Sequence, residues 1–149
     1  MDRVRNALQR IASVRELDGK IAVSLPVMYP SGATVVVEVE RNDDRYWVSD
    51  MGYGLVEAEM SGAQTFYGKI ASRIADDFGI GFDGNAMLAL WVASPRLEAA
   101  ITCVANASNR ACSEAILQHR GKEQTPKRED FRPRQSCVRG ALWKPLNPP

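Results

Sequence analysis

The sequence predicts an α+β domain: a small antiparallel sheet, built as a β-meander and packed by helices, with a basic C-terminal tail that is expected to be disordered or to order on a partner. Three observations point there. Between residues 21 and 50 apolar and polar residues alternate in successive runs, the period of a half-buried strand. On both sides of that region apolar residues recur at helical spacing. Past about residue 120 the periodicity stops, and prolines and cations take over. A chain of 149 residues fits one domain and is long enough to bury a core without disulfides or a metal. We divide it into a domain over 1–120 and a tail over 121–149.

Residues 2–16 read as an amphipathic helix. Val4, Ala7, Leu8, Ile11 and Val14 share a stripe, Arg3, Arg5 and Arg10 lie mostly off it, and Asp18-Gly19 ends it. The meander follows. Ile21, Val23 and Leu25 alternate with small residues, and Pro26 and Pro30-Ser31-Gly32 mark a break and a turn. The run Thr34 to Glu40 is rich in β-branched residues and directs Val35, Val37 and Val39 to the core. Asn42-Asp43-Asp44 supplies a hairpin turn into Arg45–Asp50. Met51-Gly52-Tyr53-Gly54 forms a tight strand-to-helix turn into a short helix over Leu55–Met60, which Ser61-Gly62 stops.

Thr65 is placed to cap a longer helix whose stripe is Tyr67, Ile70, Ala71, Ile74 and Phe78, with Gly79 at its end. Phe82-Asp83-Gly84-Asn85 reads as a turn and Met87–Val92 as a strand. Ser94-Pro95 opens a long helix running to about His119, with Ser as cap and Pro at the first helical position. Leu97, Ile101, Val104, Ala105, Ser108, Cys112, Ala115 and Ile116 make its buried face.

The net charge of +1 hides an asymmetry. From Gln118 onward eight cations face three acids, a net +5, whereas residues 1–117 carry eleven cations and fifteen acids, a net −4. Arg128, Arg132 and Arg134, with Trp143 as an aromatic anchor, make the tail a candidate for nucleic-acid binding through phosphate contacts and stacking; a solubilising extension is the plain alternative. The cysteines, Cys103, Cys112 and Cys137, are odd in number and form no CxxC. Cys103 and Cys112 stand nine apart, which at about 100° per residue points them to opposite faces of one helix. Idle thiols in a reducing compartment are the expectation. Neither an apolar leader nor a run of the roughly 18 apolar residues that spans a bilayer is visible, so a cytoplasmic protein with no membrane partner is expected.

Asp50, at the end of a strand in Ser49-Asp50-Met51-Gly52-Tyr53-Gly54, is the most distinctive polar residue. It reads first as the cap of its own turn and second as a ligand or general base, with Gly52 and Tyr53 as neighbours in a weak binding site. Glu38 and Glu40 fall on the solvent side of an alternating strand, and no lysine lies between Lys20 and Lys69, unlike the converging carboxylates of a metal-dependent nuclease. His119 has no nucleophile context and sits where a cation suits a helix C-terminus. Gly79–Gly84 spells GxGxxG, but after a helix rather than a strand, the wrong setting for a dinucleotide. No cofactor and no metal is expected.

From about Lys20 to Leu117 the chain resembles the bacterial and phage family catalogued as domain of unknown function 1828. The resemblance lies in a first strand ending in Pro (Ala22–Pro26), a Val-rich strand and hairpin, and an aromatic strand running into Ser49-Asp50-Met51-Gly52. A helix ending in Gly79-Ile80 and a final helix complete it. Met51 stands where that family's turn carries a second acid, which removes a paired carboxylate. The resemblance implies a prokaryotic or mobile-element origin and supplies no mechanism. The function expected is a non-enzymatic interaction protein of a bacterium, prophage or mobile element, acting on a protein partner as an inhibitor or regulator of host defence. A nucleic-acid-binding accessory protein using the tail is the first alternative, and a hydrolase or nuclease centred on Asp50 the second. An exposed sheet edge also leaves room for a homodimer.

Overall fold

Val35, Val37 and Val39 are buried while the residues between them are more open, so β3 (Thr34–Asn42) presents one face to a core. Its neighbours continue that face. Val37 pairs with Val23 of β2 (Lys20–Met28), and Val39 pairs with Val48 of β4 (Arg45–Ser49). The computed structural model describes residues 1–124, and in it β2, β3 and β4 are the centre of a six-stranded antiparallel sheet. Before β2 come α1 (Asp2–Ile11) and β1 (Ser13–Leu17). After β4 come α2 (Tyr53–Met60), α3 (Gln64–Phe78), β5 (Gly81–Phe82), β6 (Met87–Ala93), one 3₁₀ turn (Ser94–Arg96) and α4 (Leu97–Gln124). The strand order is β1-β2-β3-β4-β6-β5. The α+β class and the helix-packed antiparallel sheet are as the sequence predicts.

The core lies between the inner sheet face and α2, α3 and α4. Tyr67, Ile70 and Ile74 of α3 meet Val104, Cys112 and Ile116 of α4 over Val35, Val37, Val48 and Met87. Ala71, Ala75, Ala107, Ala111 and Ala115 are also buried, and small side chains let helix axes approach closely. Gly79 closes α3 in the left-handed conformation (φ 69°), with the Ile80 N–H returning to the Ala75 carbonyl at 2.9 Å.

Three details depart from the sequence reading. The helix expected over 2–16 stops at Ile11. Ala12 is extended, and Ser13–Leu17 pair with Lys20–Ser24 as a hairpin arm. Asp18-Gly19 is thus a hairpin turn, not a helix end; both residues are left-handed (φ 53° and 76°), as a two-residue primed turn requires. Val14 belongs to the apolar stripe of the helical reading and as a strand residue faces Val23 of β2, and the open edge of β2 decides between the two. Thr65 caps nothing: α3 starts one residue earlier, behind Ala63, with no side-chain cap.

The third departure is that α4 continues past His119 and the expected boundary at residue 120, through Gly121 to Gln124. Two contacts hold that extra turn. His119 Nε2 lies 3.2 Å from Glu123 one turn on, and the Lys122 ammonium sits 4.6 Å over the Phe66 ring. The tail residues Arg128, Arg132, Arg134, Cys137 and Trp143 lie outside the described residues. Among the described residues no helix is long and apolar enough to cross a membrane.

Candidate functional site

Asp50 follows the last residue of β4 and is completely buried. Its backbone enters a turn in which Met51 and Gly52 are both left-handed (φ 56° and 76°), so the chain reverses into α2 within two residues. The carboxylate accepts four hydrogen bonds. Oδ1 takes the N–H of Gly52 and the N–H of Met87, both at 2.9 Å, and Oδ2 takes the N–H of Gly54 at 3.3 Å and the Ser108 hydroxyl at 2.6 Å. Because Ser108 donates to Asp50, the Tyr29 hydroxyl, 2.7 Å from Ser108 Oγ, must donate to Ser108. One aspartate thereby ties the β4–α2 turn to the start of β6, the middle of α4 and the end of β2.

Space around this hub is fully used. A methyl group on Gly54 would meet the Tyr67 hydroxyl and stand 2.6 Å from Ser108 Oγ, so only glycine fits. The Tyr67 hydroxyl is buried and has no hydrogen-bond partner among the described residues. Burial, reinforced by the Asp50 charge, pushes its pKa well above the usual tyrosine value, and burial does the same to Tyr29. Burial likewise raises the Cys112 thiol to about 11.

Of the residues singled out in that segment, Asp50 faces inward and Tyr53 outward. Gly52 backs onto the Asn85 side chain, where a Cβ would come within 3.1 Å of its amide. Tyr53 is half-exposed and lines a depression of about 470 Å³ on the outer sheet face, with Arg15, Lys20, Glu38 and Met51. Lys20 reaches across from β2 to Glu38 at 3.1 Å and Glu40 at 3.9 Å, and those carboxylates, Glu38 first, hold its amine above the usual lysine value. The structure therefore separates Asp50 from Glu38 and Glu40. Among the described residues no three His, Cys, Asp or Glu side chains converge as a metal would need.

A second site escaped the sequence reading. β4 pairs with β6 from Leu88 to Ala93, but on the other side β5 covers only Met87 and Leu88. From Ala89 to Ala93 that edge of β6 has no strand partner among the described residues. A cleft of about 940 Å³ opens beside it, lined by Phe78, Ile80 and Phe82 near the end of α3 and by Ala99, Ala100 and Cys103 in the first turns of α4. The strand is irregular here. The register shifts opposite Tyr46–Val48, and Trp91 adopts φ 56°, an uncommon conformation for a bulky residue and one that collects at functional sites. Trp91 stands edge-on to Trp47 at 5.7 Å and remains 61% exposed.

The polar groups of the cleft are few. Asp83 is spent on its own turn, accepting the N–H groups of Ala86 and Asn85, which hold its carboxyl below the usual aspartate range. Arg45 and Arg96 are exposed and form no ion pair among the described residues. An open strand edge beside an apolar trough can accept an extended peptide as an added strand: main-chain hydrogen bonds hold it and alternate side chains enter the trough. The sequence signals were weak: a two-residue strand after Gly79, and an apolar run in Met87–Ala93 that lacks clean alternation. Compared with family models, curated proteins and solved structures, the chain finds no match.

Proposed function

We propose that this chain is a non-enzymatic interaction protein that captures an extended, acidic segment of a partner protein by strand addition at β6. The observation that carries this reading is the edge at Ala89–Ala93, which no strand among the described residues pairs, set beside an apolar cleft and two arginines that form no ion pair among those residues. Backbone hydrogen bonds along β6 give affinity, the cleft selects apolar side chains at alternate positions, and Arg45 and Arg96 select carboxylates. Asp50, on which a hydrolase would rest, spends both oxygens on buried donors, the behaviour of a structural aspartate. The resemblance to the domain of unknown function 1828 family supports a bacterial, phage or mobile-element setting. In that setting a small capture protein suits inhibition or regulation of host defence.

The test is selection from a random peptide display library on the immobilised full chain, followed by affinities from tryptophan fluorescence. Enriched peptides should alternate apolar residues and carry acids. Their affinity should fall at least about tenfold in the double variant Arg45→Glu/Arg96→Glu, and again in Ala100→Trp, which fills the cleft, with the far-UV spectrum unchanged. Enriched peptides indifferent to both changes would defeat the proposal. The net +5 of the tail region favours a second reading, nucleic-acid binding. Affinity for DNA or RNA that falls steeply with salt and is lost in Arg128→Glu/Arg132→Glu/Arg134→Glu would move function to the tail.

A further inference from the structure

The N-terminal arm is surface that the fold does not use. All five residues of β1 are exposed, and β1 is the last strand of the sheet, so among the described residues its outer edge has no partner. The apolar stripe of α1 is exposed too: Val4 and Leu8 at 61% and Ile11 at 47%. Val14 of β1 is 68% exposed, and Ile21, the β2 residue next to β1 on the inner face, is 39% exposed. An amphipathic helix and a strand whose apolar side chains stay exposed among the described residues stabilise the fold little. An exposed edge strand, here of five residues, is also one that monomeric proteins ordinarily blunt or cover.

We propose that this arm is a dimerisation device: two copies pair their β1 strands antiparallel about a two-fold axis at Val14, and each α1 lays its apolar stripe on the partner's arm. A two-fold perpendicular to the sheet preserves its two faces and sets one residue opposite its own copy. Centring on Arg15 or Glu16 would oppose like charges, which is unfavourable in directly facing pairs. Centring on Val14 opposes valine to valine on the inner face, sets Ser13 against Arg15 in both directions on the outer face, and leaves Glu16 opposite the extended Ala12. The five apolar side chains expose on the order of 450 Å² per copy. Closing that patch on both copies, with the strand edges and polar rims, approaches the roughly 1,200–2,000 Å² of a stable interface. A second copy satisfies the unpaired edge and the unused helix in one operation.

Sedimentation equilibrium of the full chain, run from nanomolar to high micromolar concentration, tests this. The expected particle is twice the 16.4 kDa chain, and Leu8→Asp/Ile11→Asp should weaken dimerisation by at least about a hundredfold while leaving the far-UV spectrum folded. Should that double variant fail to fold, cross-linking decides. Val14→Cys should oxidise readily to a covalent dimer on a non-reducing gel, because directly opposed residues lie within disulfide reach. Arg15→Cys and Glu16→Cys should oxidise much more slowly. A monomer at every concentration would overturn the proposal. So would a dimer indifferent to the aspartates, one dissolved by Arg45→Glu/Arg96→Glu, or cross-linking without preference for position 14. The proposal is independent of peptide capture at β6, since the arm and the cleft share no residue.

Discussion

Replacing Asp50 with alanine removes the shared acceptor of four buried donors: the N–H groups of Gly52, Gly54 and Met87 and the Ser108 hydroxyl. Each buried donor left without a partner costs about 1–3 kcal/mol. The Gly54 bond is long at 3.3 Å and contributes least. Removing a charge from a site closed to solvent gives back part of its desolvation cost. The net loss expected is therefore about 3–5 kcal/mol, a large share of a stability on the order of 5–15 kcal/mol. Asp50→Asn keeps the shape. Its oxygen can still serve Gly52 and Met87, but its amide then faces the Gly54 N–H donor to donor, and Ser108 and Tyr29 must reverse their hydroxyls. That variant should lose about 1–3 kcal/mol. Urea unfolding followed by far-UV circular dichroism and tryptophan fluorescence, compared at constant m-value, reads both. An alanine variant within ~1 kcal/mol of the parent, or an asparagine variant less stable than alanine, would refute the hub as described.

The two buried tyrosines should respond in opposite ways to losing their hydroxyls. Tyr67→Phe removes an orphaned group and should leave the urea midpoint unchanged or raised, whereas Tyr29→Phe breaks its bond to Ser108 and should cost about 1–2 kcal/mol; equal losses would contradict the hydrogen-bond assignment. Alkaline pH should destabilise the fold. Tyr29, Tyr67 and Cys112 are all pushed upward by burial from ordinary values of 10.0, 10.0 and 9.0. The folded state thus holds protons that the unfolded chain has released, and stability, fully present below about pH 9, falls as pH rises through the thiol's folded value of about 11. A urea midpoint that stays flat across that window, or tyrosinate absorbance from Tyr29 and Tyr67 before unfolding, would contradict it.

Much of the fold was legible along the chain because its signals are local. The alternation of Val35, Val37 and Val39, the stripe from Tyr67 to Phe78 and the glycines at 52, 62 and 79 each act within a few residues and stand where they were expected, whereas Ser94-Pro95 opens a 3₁₀ turn without a side-chain cap and α4 begins only at Leu97. Asp50 was correctly expected to cap its own turn, since Gly52 lies two residues away. Its distant partners, Met87 and Ser108, stand 37 and 58 residues on, and no local pattern announces them. Nor does any local pattern explain why position 54 must be glycine: the side chains that fill its Cβ space belong to α3 and α4. The sequence by itself determined which faces are apolar and where the chain turns, because side-chain period and backbone sterics are properties of neighbours. Only the tertiary structure decided that residues 13–17 form a strand, that β6 keeps an open edge and that one carboxylate joins four elements, because edges, burial and shared acceptors exist only once distant segments have met.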